Sequence, residues 1–149
     1  EQLHKYDYVG TVVLDRYLID LCQGIASATS SSDRTWAIIV DADPLIIATD
    51  IAVPLGLIVN ELVTNAIQHS RPAGESGSVH IMLEAQVDSF LISVSDPGDG
   101  PAAAQTGELG TRHDGLGTRI VETLARQINA TVTKGRSAAG YTVTIAAAH

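Results

Sequence analysis

A chain of 149 residues with 45% hydrophobic residues has the size and apolar content of one compact domain, and 17% charged residues is too few for a disordered one. The formal net charge of -8 argues against a nucleic-acid groove, which wants a basic surface. It leaves phosphate ligands open, because metal ions and backbone N–H groups neutralise phosphate without Lys or Arg. Cys22 is the single cysteine, so no internal disulfide can form, and aromatics at 4% leave the core to Ile, Val, Leu and Ala. No run approaches the roughly 18 apolar residues of a membrane span, and no signal peptide opens the chain. The opening, "EQLHKYDYVG", has neither a Met nor a cap signal and is read as a piece of a longer protein.

In chain order, Leu14 to Ala28 sets Leu14, Leu18, Leu21, Cys22 and Ile25 on one stripe, which predicts an amphipathic helix. "TSSSDR" breaks it, and "TWAIIVDAD" and "LIIATD" predict two short strands around Pro44. Asp50 is positioned to cap a helix over Ile51 to His69, with Pro54 in its first turn. After the loop "SRPAGESGS", the segments "VHIMLEAQ" and "SFLISVSD" predict a hairpin turning at Asp88–Ser89. Pro97 to Asp114 has no periodic pattern, and irregular segments of that length are usually functional or mobile. A helix over Leu116 to Asn129 and the strands "ATVTKG" and "YTVTIAAA" complete the chain. The order describes an α/β sandwich, with helices on one face of a mixed sheet.

Three short patterns carry chemistry. On the central helix, Glu61, Asn65 and His69 fall at i, i+4 and i+8 and share one stripe, while Leu55, Ile58, Leu62 and Ala66 follow the neighbouring stripe toward the core. A carboxylate and an amide oxygen one turn apart are hard ligands that suit Mg²⁺, an ion that shares its coordination with substrate phosphates. A lone E-x-x-x-N is more often an ordinary exposed helix face. The second pattern is "SVSDPGDGP", where Asp96, Gly98 and Gly100 follow a strand as D-x-G-x-G. Its carboxylate can accept a hydrogen bond from an exocyclic amine, and its glycines let the backbone approach a planar ring. By itself it is also a common turn composition. The third is "HDGLGTRIV", with Gly115 and Gly117 at a helix entrance whose free N–H groups favour a polyphosphate. Each pattern is weak alone; their order and separations make them strong together.

In these three patterns the sequence resembles the ATP-binding catalytic domain of sensor histidine kinases, within the gyrase, chaperone, histidine kinase and MutL (GHKL) superfamily. "GLIVNELVTNAIQH" is similar to the family's N box, "DPGDG" to its first glycine box and "GLG" to its second, and the likeness runs from about Trp36 to the C-terminus. "PLGLIVNELVTNA" is especially similar to the bacterial subgroup that includes the HWE kinases and their relatives. The resemblance implies a Bergerat-type α/β sandwich, with a mixed, mostly antiparallel sheet, helices on one face and a flexible ATP lid from Pro101 to Asp114. It implies ATP and Mg²⁺ as cofactors, with Asn65 as the metal ligand and Glu61 positioning the attacking group. It further implies Asp96 at the adenine amine, Gly98 and Gly100 at the pocket floor, Gly115, Leu116 and Gly117 at the phosphates, and His69 beside them.

Two positions depart from the family pattern. Gln68 stands where many relatives carry Lys, so that His69, Arg71, Arg112 or Arg119 would have to supply a phosphate contact, and Tyr141 stands where a Gly-Thr pair is frequent. Residues 1–30 are expected to be the end of the dimerisation hairpin and a linker helix, and 31–149 the catalytic domain. His4 is then a surface residue and not the phosphoacceptor, which would lie on an upstream domain. His80, His113 and His149 are expected to be structural or solvated, and Cys22 to be core. The implied activity is transfer of the ATP γ-phosphate to that upstream histidine, with a response regulator downstream, a cytoplasmic location, and neither nucleic acid nor membrane as a partner of this segment. An anti-sigma-factor-type serine kinase and a non-catalytic nucleotide-binding switch are the alternatives.

Overall fold

The computed structural model describes residues 10–29, 36–70, 77–96, 119–137 and 140–149. The order is β1 (Thr11–Val13), α1 (Leu14–Thr29), β2 (Trp36–Ala42), β3 (Ile46–Ala48), α2 (Thr49–Ser70), β4 (Gly77–Ala85), β5 (Ser89–Asp96), α3 (119–127), β6 (Thr131–Ser137) and β7 (Gly140–Ala148). Five strands form one sheet in the order β2-β4-β5-β7-β6, with β2 and β4 parallel and every other pair antiparallel. β1 and β3 make a separate antiparallel ribbon.

Alternation in the strands decides which face is covered. Val79, Ile81 and Leu83 of β4, Phe90, Ile92 and Val94 of β5, and Val143, Ile145 and Ala147 of β7 are buried on one face. The helices contribute Leu14, Leu18, Cys22 and Ile25 from α1, Leu55, Ile58, Val59 and Val63 from α2, and Val121 and Ala125 from α3 to that same core. The opposite face is open, with Ile39, His80, Met82 and Glu84 exposed. The predicted mixed sheet with helices on one face is therefore the observed one.

Two local expectations need correction. The central helix begins at Thr49, so Asp50 lies inside its first turn and Pro54 in its second. Its start is fixed from outside, by the Thr49 N–H donating to the Gly10 carbonyl at 2.8 Å, a contact no helix-cap rule reads from sequence. Pro54 leaves the carbonyl of Asp50 without an i+4 partner, which is tolerable because Asp50 is exposed to water. The β4–β5 turn is centred on Val87–Asp88, closed by the Gln86 N–H donating to the Ser89 carbonyl at 2.8 Å. α1 packs into the same core: Leu14 and Leu18 have no exposed surface, and the Leu14 N–H donates to the Leu45 carbonyl at 2.8 Å. Residues 1–9 lie outside the described ones.

α2 also amends the expectation about membrane spans. Thr49–Gln68 has a mean hydropathy of 1.4, enough by length and composition to cross a bilayer, but half of that stretch is buried inside the protein. It reads as a core helix whose apolar character comes from facing the sheet on one side and α1 on another.

The last helix ends on a left-handed residue. Asn129 has φ 55°, and the Ala130 N–H donates to the Ala125 carbonyl at 2.8 Å while the Asn129 N–H donates to that of Arg126 at 3.2 Å. This pair of bonds is a Schellman cap, which satisfies two terminal carbonyls and turns the chain into β6.

Candidate functional site

Glu61 and Asn65 are half-buried on α2, at the edge of a face whose Leu62, Val63, Ala66 and Ile67 are buried. Asn60 and Gln68 are exposed. The polar side chains thus border the core without entering it, and the helix avoids the cost of burying unpaired amides. Of His69 the helical backbone is described and the side chain is not.

β5 ends on Asp96, which is 6% exposed and the single buried charged side chain among the described residues. Alternation with Phe90, Ile92 and Val94 puts it on the sheet face that α2 covers. Strand register then decides which elements meet it. His80 near the start of β4 pairs with Ser95, so β4 begins at the end of the sheet where β5 stops. α2 enters β4 through residues 71–76 alone, so the C-terminal half of α2, with Asn65, stands at that same end. β7 also starts there, with Tyr141 opposite Asp96. α3 leads into Thr131, which pairs with Ala146 at the far end, and Arg119 at its start lines a groove together with Glu61 of α2. The C-terminal half of α2, Asp96 and the start of β7 come from separate parts of the chain and meet at one end of the sheet.

An open groove of about 420 Å³ lies between α2 and α3, lined by Leu57, Asn60, Glu61, Arg119, Ile120, Thr123 and Leu124. It joins Glu61 to Arg119, one of the cations the sequence offered as a substitute for the lysine missing at Gln68. The aliphatic lining was not singled out from sequence. Its signal was available: Leu57 is 52% and Ile120 41% exposed, each on the outward side of a helix that already buries a full apolar face.

Gly98, Gly100, Gly115, Leu116 and Gly117, the expected lid from 101 to 114, and Arg71, Arg112 and His113 lie outside the described residues. Among the described residues no group of three or more His, Cys, Asp or Glu could hold a metal ion. The half-buried Asn65 offers one amide oxygen, a hard donor of the kind Mg²⁺ shares with substrate phosphates and water. Cys22 is buried, and burial pushes its thiol up to about 11, so it stays protonated and unreactive at neutral pH. His80 is exposed on β4, and His149 lies against Phe90 with ring centroids 6.2 Å apart, matching their expected structural or solvated roles.

A family model described as the histidine kinase-like ATPase domain matches residues 38–146. The chain belongs to the histidine kinase-like ATPase domain family. The ATPase domain is similar in structure to the blue-light activated histidine kinase EL346 of Erythrobacter litoralis, at TM-score 0.74 and 26% identity over 92% of this chain and 42% of that one. The histidine kinase domain of the same protein aligns at TM-score 0.72 and 25% identity, over 92% of this chain and 61% of that chain. A mycobacterial sensor histidine kinase, MprB, aligns at TM-score 0.68 and 18% identity over 93% of this chain and 95% of that one, which bears on the fold alone. The ATPase domain spans less than two thirds of either Erythrobacter chain. No curated protein matches it in sequence. The fold is that of histidine kinase catalytic domains, and membership of an ATPase family implies use of ATP. The match does not separate out the HWE-related subgroup.

Proposed function

We propose that this domain binds Mg-ATP and transfers the γ-phosphate to a histidine on a dimerisation domain outside this chain. The observation that carries the reading is the meeting of the C-terminal half of α2, with Asn65, Asp96 and the start of β7 at one end of the sheet. Asp96 would accept the adenine amine, with Gly98 and Gly100 at the pocket floor. Gly115, Leu116 and Gly117 would offer backbone N–H groups to the phosphates, with His69 and Arg119 nearby. The Asn65 side-chain oxygen would hold Mg²⁺, which when bound neutralises phosphate charge. Glu61, half-buried across the groove from α3, would orient the incoming imidazole by accepting a hydrogen bond from its N–H. Phosphoryl transfer demands little covalent chemistry of the protein, and positioning plus charge neutralisation are what these groups provide. Residues 101–114 would act as the lid that excludes water. A response regulator downstream and a cytoplasmic location belong to the same proposal, as does a junction with the dimerisation domain before Thr11, because α1 is packed in the core.

The test is incubation of this chain with Mg-ATP and the dimerisation domain of the full-length protein. Acid-labile, base-stable phosphate on the dimerisation domain is expected, and it should vanish with Asn65→Ala. Acid-stable phosphoserine would return the serine-kinase alternative, which the histidine kinase neighbours do not favour. ATP binding without any transfer would make the domain a nucleotide-dependent switch.

A further inference from the structure

The inner face of the sheet is apolar along most of its length and changes character in its last row. Val94 opposes Val143, and both are buried; the next row opposes Asp96 to Tyr141, with Arg136 of β6 beyond it. Opposed residues of an antiparallel pair carry their Cβ atoms about 4.5–5.5 Å apart on one face, so the Tyr141 side chain starts immediately beside the Asp96 carboxylate. Tyr141 is half-buried and packs against the core, in the row opposite Asp96. The residue before it, Gly140, is buried with φ 139°, a conformation that L side chains rarely adopt, so the chain enters β7 along a path that only glycine takes without strain.

We propose that Tyr141 is a specificity residue of the nucleotide site: its ring closes the pocket around the unsubstituted exocyclic amine of adenine and excludes a purine carrying a substituent there. The inference rests on the reading of Asp96 as the acceptor for that amine. One amine hydrogen is directed at the carboxylate, and the other lies on the flank where Tyr141 stands. A methyl group at that point would overlap the ring, and overpacking of that kind costs about tenfold in affinity. A small residue at this position would leave the space open.

The experiment is calorimetric titration of the chain with a non-hydrolysable Mg-ATP analogue and with the same analogue methylated on the adenine amine. The wild type should prefer the unmethylated nucleotide by about tenfold. Tyr141→Phe, which keeps the ring, should retain that preference; Tyr141→Thr should bring the two nucleotides to within about twofold of each other. Tyr141→Leu, which keeps an apolar side chain against the core, gives the same readout should the threonine variant fail to fold. Thr142→Ser changes the same strand on the opposite face, where Thr142 meets the Ser95 hydroxyl at 2.9 Å, and should leave the preference untouched. Equal binding of both nucleotides by the wild type, or an undiminished preference in Tyr141→Thr and Tyr141→Leu, overturns the role of Tyr141 and leaves the kinase reading standing. Binding of neither nucleotide by the wild type removes both.

Discussion

Asp96 is a carboxylate withdrawn from water at the end of a strand, a placement that costs free energy unless hydrogen bonds compensate it. A ligand amine is one such donor, and it is one that guanine does not offer at the same ring position. Asp96→Asn replaces an acceptor-only group with an amide and weakens a charge-assisted bond of about 1.5–3 kcal/mol, so ATP affinity should fall by roughly ten- to a hundredfold. GTP affinity should change far less. Parallel titrations with the two nucleotides measure this, and equal wild-type affinities for ATP and GTP would remove the adenine role. At this scale the sequence was informative wherever the chemistry is local. Glu61 and Asn65 are one helical turn apart, and Asp96 carries its own glycines, so both patterns can be seen in a short window. Tyr141 gains its meaning only from the strand register that brings it opposite Asp96, and that partner lies far back along the chain.

Between elements, α1 and α2 approach closely at Gly56. A Cβ built there would overlap the Tyr17 hydroxyl and stand 2.8 Å from Cε2 of its ring. Gly56 is therefore a packing residue, retained against the roughly 1 kcal/mol that alanine would contribute as a better helix former. Gly56→Ala must push the half-buried Tyr17 outward, and overpacking of this kind costs about 1–3 kcal/mol. The net expectation is a lower melting temperature for Gly56→Ala in the wild-type background but not in the Tyr17→Ala background, where the overlap is gone and only the propensity gain remains. A melting temperature for Gly56→Ala above that of the wild type would mean the two helices have room to spare. Sequence pattern predicted every described helix and every strand except β1, whose three residues are too few to show a period, and the boundaries were less legible. The start of α2 is set by a bond from Thr49 to Gly10, and Asp43 continues β2 by accepting from the Ala85 N–H at 2.9 Å. Such constraints come from other elements, and no local cap or turn signal encodes them.

Over the whole molecule, the question is where the folding unit begins. The family match starts at residue 38, yet Leu14, Leu18, Cys22 and Ile25 belong to the same core as β4, β5 and α2. The ribbon of β1 and β3 adds a second tie, pairing Thr11 with Ala48 and Val13 with Ile46. Burying a large aliphatic side chain contributes about 1.5–3 kcal/mol, and a domain of this size has about 5–15 kcal/mol in total. Removing α1 deletes several such side chains and uncovers the apolar surface of α2 and β2 that they cover. A chain beginning at residue 31 should therefore lose its cooperative thermal transition, or melt far below the full chain, and bind an apolar dye at temperatures where the full chain does not. Were the shortened chain to melt at the same temperature, α1 would be an appendage to the folding unit. Differential scanning calorimetry of the two chains decides between a domain that starts at β1 and one that starts at β2. The same comparison bears on catalysis, because Gly56 and the rest of the wall that carries Glu61 and Asn65 rest on α1 through Tyr17.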